Sequence, residues 1–161
     1  MGEAANVETG GVQSSTSRDF RDAAIASIVA GIAFGVLIQF VMGAMATIGA
    51  LFTFGQEGLV IGWVTHMSLS LVFALLYAVL TWSNKLDAYA SELGTGIALG
   101  GAFGLALWLV NVGFIWPVWM NAIGVVTLPV PFLLEPPALQ SFVGHFVWGA
   151  VLGAVFAFLR S

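Results

Sequence analysis

Long apolar runs separated by short polar segments make up most of the chain, and their lengths define the predicted elements. Four apolar runs are long enough to be membrane spans, at residues 23–54, 58–82, 94–116 and 138–159. A helix rises about 1.5 Å per residue, so about 20 residues cross the roughly 30 Å hydrocarbon core of a bilayer. The pattern predicts an all-α polytopic membrane protein with four transmembrane helices.

The ends of these runs predict where the helices break and what lies outside them. The first run would be roughly 48 Å long as one helix, so it must break, and Gly43 and Gly49 are the predicted positions. Pro117 is predicted to end the third span. Residues 1–22 are predicted to be a disordered tail, because residues 1–17 are small and polar with little apolar bulk. The transmembrane domain then covers residues 23–160.

The composition supports a membrane protein and excludes several functions. Hydrophobic residues make up 60% of the chain and charged residues 7%, whereas soluble domains are about 25% charged. There is no cysteine, which excludes disulfides and thiolate metal sites. No Ser-His-Asp set or paired intramembrane carboxylate is present, so no catalytic residues are predicted. The net charge of −4 disfavours nucleic acid, and the lipid bilayer is the expected partner.

The basic residues predict the orientation. Arg18, Arg21, Lys85 and Arg160 are the four basic residues of the chain, and with four spans they all fall on one side. Basic residues favour the cytoplasmic side of a membrane. We therefore expect a multi-pass plasma-membrane protein with both termini in the cytoplasm.

The sequence also indicates an internal repeat of a two-helix unit, at about 23–82 and 94–159. A shift of 69 residues aligns Gly31 and Gly35 with Gly100 and Gly104, and a shift of 79 aligns His66 with His145, the other histidine of the chain. Both units enter the membrane from the same side. The spacing predicts two parallel-repeat helical hairpins, related by a pseudo-twofold axis along the membrane normal.

Small residues spaced four apart lie on one face of a helix, where they let two helices approach closely in a membrane. The predicted packing positions are Gly31, Gly35, Gly96, Gly100, Gly104, Gly149 and Gly153. These GxxxG faces suit a homo-oligomer or another membrane protein as well as packing within the chain.

One polar side chain per span falls at a similar depth: Gln39, His66, Asn111 and His145. Polar groups inside a membrane are costly, so we expect them to face the bundle and to bond one another. The first interpretation is structural, with hydrogen bonds that hold the helices together. The alternatives are a polar pocket for a lipophilic small molecule, a proton path, or haem b ligated by His66 and His145. A zinc or copper site is disfavoured, because there are only two histidines and no carboxylate in this layer.

The function predicted from these patterns is a non-enzymatic structural or accessory membrane component with an intramembrane polar layer. The alternative is a protein that binds or conducts a lipophilic small molecule or protons, or a bis-histidine haem b protein. No resident cofactor is expected under the first interpretation.

The segments Gly62-Trp63-Val64-x-His66 and Gly144-His145-x-x-x-Gly149 resemble a family of small four-helix membrane proteins of halophilic archaea. The resemblance covers about residues 20–160 and implies the four-helix fold but no established activity. Some members of that family are labelled histidine kinases. This chain has no ATP-binding domain, so that label does not carry over.

Overall fold

A computed structural model describes the backbone of residues 3–161 and the side chains of residues 16–83 and 85–161. The helices are α1 Glu3–Leu37, α2 Met45–Ile48, α3 Ala50–Thr53, α4 Leu59–Leu80, α5 Asn84–Ser91, α6 Leu93–Leu107, α7 Trp116–Ala122 and α8 Pro136–Arg160. Two wider π-helical stretches extend them: Ile38–Met42 continues α1, and Trp108–Ile115 joins α6 to α7. No strand occurs within residues 3–161.

Four continuous helical segments are long and apolar enough to cross a membrane. They are span one, Thr16–Met42, span two, Leu59–Leu80, span three, Leu93–Ala122, and span four, Pro136–Arg160. Large apolar side chains point away from the bundle, as shown by Val60 at 78% exposed and Phe40 at 74%. The all-α fold with four spans is therefore confirmed, and the protein is a multi-pass membrane protein.

One end of the bundle, here called the terminal end, carries the start of span one, α5 and the end of span four. Arg160 pairs there with Asp87 at 2.6 Å and with Asp19 at 3.4 Å, and Asp22 is fully buried. Residues 16–22, which the pattern assigned to the tail, thus belong to α1 and pack into the bundle. The rest of the predicted disordered tail, residues 1–15, lies outside the residues described in full.

At the opposite end, span one breaks at Gly43, as predicted. Gly43 has φ of +66°, a left-handed conformation that glycine adopts without steric cost. The chain then folds back as α2 and α3, which flank Gly49. A Cβ at Gly62 would overlap the carbonyl oxygen of Met45, so α2 packs directly on the backbone of α4.

The prediction that Pro117 ends span three is wrong, since the helix continues to Ala122. Proline has no N–H, so it cannot bond the carbonyl of the residue four positions earlier, which is Gly113. That carbonyl instead accepts a hydrogen bond of 2.9 Å from the N–H of Phe132 in the following connection. The wide π-helical turns before Pro117 also accommodate its ring.

Around the bundle the helices follow the order α4, α1, α8, α6, in which each packs on the next. In both hairpins the aligned positions contact each other, because Gly35 faces His66 and Gly104 faces His145. The hairpins themselves do not pack equivalently. α1 packs along α8, whereas span two and span three meet at the Tyr77–Phe103 ring contact of 5.3 Å and line a cavity nearer the opposite end. A twofold repeat arrangement is therefore not confirmed.

Candidate functional site

A cavity of about 460 Å³ lies between the four spans. Its lining includes Phe34 of span one, His66 of span two, Asn111 of span three and His145 of span four. At the end opposite the termini, residues of α2, α3 and α7 also contribute to the wall. Aspartate, glutamate, lysine and arginine are all missing from the lining of this cavity. The cavity is therefore apolar, with a few neutral polar groups.

His66 is buried and its orientation is fixed by the backbone of span one. Its Nε2 lies 2.9 Å from the carbonyl oxygen of Gly31. A carbonyl only accepts hydrogen bonds, so in the neutral ring the proton sits on Nε2 and Nδ1 keeps its lone pair. The close approach of α1 and α4 at Gly31 makes this contact possible, since the side chains of Met67 and Ser70 fill the space beside that glycine.

His145 is held by its own helix. Its Nδ1 lies 2.9 Å from the carbonyl oxygen of Ser141 and 3.1 Å from the Ser141 hydroxyl. Phe34 packs edge-on against both imidazoles, with ring centroids 4.9 Å from His145 and 5.5 Å from His66. One aromatic ring of span one therefore contacts both histidines.

The other two residues of the predicted polar layer lie in different surroundings. The Gln39 side chain accepts a hydrogen bond from the indole N–H of Trp63 and does not line the cavity. Asn111 lines the cavity, and within residues 16–83 and 85–161 its amide has no hydrogen-bond partner. The structure thus brings His66, Asn111 and His145 to one cavity and places Gln39 outside it.

Several polar residues of the site were missed by the sequence patterns. Trp148 donates its indole N–H to the hydroxyl of Ser70 at 2.8 Å, and Ser70 donates to the carbonyl of Ser27 at 2.9 Å. Trp116 has a buried indole nitrogen without a partner and lines the cavity. The feature of the sequence that could have identified Trp116 and Trp148 is the indole N–H, which needs a hydrogen-bond partner wherever the ring is buried.

The seven glycines singled out for packing all lie at contacts between helices. Gly31 and Gly35 of α1 face side chains of α4, including the ring of Trp63. The glycines of α6 and α8 face each other's backbone, and they are Gly96, Gly100, Gly104, Gly149 and Gly153. These seven positions therefore pack helix against helix within the chain.

The chemistry open to this site is limited by its residues. No group of three or more His, Cys, Asp or Glu that could hold a metal ion occurs in the described part of the chain. The cavity offers rings, aliphatic side chains, imidazoles, hydroxyls, an amide and indole groups. Such a lining suits the binding of a neutral apolar molecule that carries a small polar group.

Comparison with family models, curated proteins and solved structures finds no match to this chain.

Proposed function

We propose that this protein is a non-enzymatic membrane protein that binds a lipophilic small molecule in the cavity between its four spans. The observation that supports the proposal is the cavity itself, with its volume of about 460 Å³ and its uncharged, mostly apolar lining. Small-molecule sites typically measure about 300–1,000 Å³ and combine apolar walls with a few placed polar groups. This cavity has both properties.

The arrangement of the spans supports entry from the lipid. Span two and span three both line the cavity and are in contact at its terminal end through Tyr77 and Phe103. At the opposite end, the Trp119 indole N–H donates to the Leu51 carbonyl at 2.8 Å and so joins the end of span three to α3 beside the cavity. An apolar molecule would then enter sideways, between span two and span three.

A pair of leucine variants on α4 tests this proposal. Leu69 lines the cavity, whereas Leu76 is 43% exposed on the outside of the same helix. Leu69→Trp fills the cavity and is expected to weaken binding of the neutral fluorophore 1-aminoanthracene at least about fivefold, which corresponds to about 1 kcal/mol. Leu76→Trp is the matched control and should bind normally. Equal affinities of the two variants, or no saturable binding to the unmodified protein, would contradict the proposal.

A structural or accessory role is the second candidate, and the hydrogen bonds between spans favour it. The His66 bond to Gly31 and the Ser70 bond to Ser27 each join span two to the backbone of span one. On this hypothesis His66→Asn, which can still donate, should keep most of the stability that His66→Leu loses. Full stability of both variants would argue against the structural role of His66.

The haem hypothesis has less support from the geometry than the pocket has. The Nε2 of His66 is bonded to the Gly31 carbonyl, and Phe34 packs against both imidazoles. Gly35 and Gly104, whose small size would clear space for a macrocycle, instead face the Trp63 ring and the His145 backbone. We expect purified protein without a Soret band; a Soret band removed by both His66→Ala and His145→Ala would favour haem.

For the orientation, we propose that the terminal end faces the cytoplasm and that the membrane is the plasma membrane. The support is the position of all four basic residues of the chain, because Arg18, Arg21, Lys85 and Arg160 lie at that end.

A further inference from the structure

Two hydrogen-bond donors in the cavity wall have no partner, and both come from one turn of span three. The Trp116 backbone N–H bonds the carbonyl of Asn111, five residues earlier, as in a π-helix. The side chains of both residues line the cavity. The wide turn therefore places Trp116 and Asn111 in the same wall of the cavity, and π-helical turns of this kind are frequent at functional sites.

The other donors around the cavity already have acceptors. Ser70 donates to Ser27, Trp148 to Ser70 and Trp119 to Leu51. The Trp116 indole nitrogen is buried without a partner, and the Asn111 amide has none within the described side chains. A buried donor without an acceptor is costly and rare, so the Trp116 indole N–H indicates an acceptor that comes from a ligand. The half-buried Asn111 amide in the same wall can supply a second hydrogen bond to it.

The rest of the lining restricts that ligand further. The absence of any Asp, Glu, Lys or Arg from the lining selects a neutral molecule, since burying an unpaired charge is expensive. Aromatic rings make up much of the wall, among them Phe34, Phe52, Phe73 and Trp119. Aromatic walls favour a flat conjugated ring, which packs on them by offset stacking or edge contacts.

We propose that the ligand is a neutral lipophilic molecule of the quinone class. A ring carbonyl accepts hydrogen bonds from the Trp116 indole and the Asn111 amide, and an apolar chain leaves the cavity between span two and span three. This inference rests on the proposed function and narrows it to one class of ligand.

The test measures binding of three probes to the full-length protein in detergent by native mass spectrometry. The first probe is a prenylated 1,4-benzoquinone, and the second is the matching prenylated benzene without carbonyl oxygens. The third is a diacylglycerol, a neutral lipid with ester carbonyls and no conjugated ring. We expect the quinone to bind at least about tenfold more tightly than the hydrocarbon, because two hydrogen bonds are gained, and more tightly than the diacylglycerol.

Two variants test whether Trp116 and Asn111 donate the hydrogen bonds to the quinone. Trp116→Phe and Asn111→Leu should each reduce the preference for quinone over hydrocarbon about two- to tenfold while hydrocarbon affinity is kept. Using two variants keeps the assignment testable if one of them fails to fold. Trp82→Phe is the control, because Trp82 lies at the terminal end in ring contact with Phe20, outside the cavity lining.

The remaining outcomes contradict the quinone inference, the assignment of the donors or the proposed function. Equal binding of quinone and hydrocarbon would overturn the quinone inference and leave the cavity function intact. Tighter binding of the diacylglycerol would also overturn it, in favour of a membrane lipid. A quinone preference unchanged in both Trp116→Phe and Asn111→Leu would overturn the assignment of the donors. Failure of all three probes to bind would overturn the proposed function as well.

Discussion

The Trp148 indole N–H donates a 2.8 Å hydrogen bond to the hydroxyl of Ser70, which joins span four to span two across the centre of the bundle. The Ser70 hydroxyl in turn donates a hydrogen bond to the Ser27 carbonyl of span one at 2.9 Å. Three of the four spans are therefore linked by two consecutive hydrogen bonds.

Ser70→Ala should destabilise the protein by about 1–3 kcal/mol, because the buried Trp148 N–H loses its acceptor. Trp148→Phe removes the donor and its bond together and should cost less, about 1 kcal/mol from the lost bond. Ser68→Ala, an exposed serine on the same helix, is the control. Thermal unfolding in detergent measures all three, and equal melting temperatures of the Ser70 and Ser68 variants would contradict the prediction.

Gly100→Ala should destabilise the contact between α6 and α8. A Cβ at Gly100 would overlap the Gly149 carbonyl and lie 2.8 Å from the Gly153 Cα, and overpacking against backbone typically costs about 1–3 kcal/mol. The control is Gly94→Ala, also in α6, where an added Cβ meets nothing within 4 Å. Denaturant titration should show a loss only for Gly100→Ala; tolerance of both would mean that the helices are farther apart.

Arg160→Met should loosen the terminal end. The Arg160 side chain is 16% exposed and pairs with Asp19 and Asp87, so its loss leaves the buried Asp19 without its cation, at about 1–3 kcal/mol. The double variant with Asp19→Asn should recover part of that loss. Lys85→Met, at an exposed position, is the control, and a melting temperature equal to that control would show that the ion pairs do not stabilise the protein.

The orientation predicts which engineered cysteines react from outside the cell. The chain has no cysteine of its own, so single cysteines at the exposed positions Ser83 and Gln56 are clean probes. A membrane-impermeant thiol reagent on intact cells should label position 56 and not position 83. Labelling at position 83 and not at position 56 would contradict this orientation and would place the basic residues outside the cell.

The sequence alone determined the number of spans and the all-α fold. Both depend on local properties, namely the length of each apolar run against bilayer thickness and the helix that satisfies its own backbone bonds in lipid. The break at Gly43 also depends on a local property, because a left-handed turn favours glycine. The candidate site was predicted in part, since His66, Asn111 and His145 do line one cavity.

Contacts between distant residues decided the rest. Pro117 does not end span three, because Phe132 supplies the N–H for the Gly113 carbonyl. Gln39 lies outside the cavity because its side chain accepts a hydrogen bond from Trp63. Span one begins before residue 22 because Asp19 pairs with Arg160 at the terminal end of the bundle. Hydropathy gives the depth of a polar side chain but not its partner. The partner is fixed only when the helices pack, and that step also leaves the cavity between the four spans.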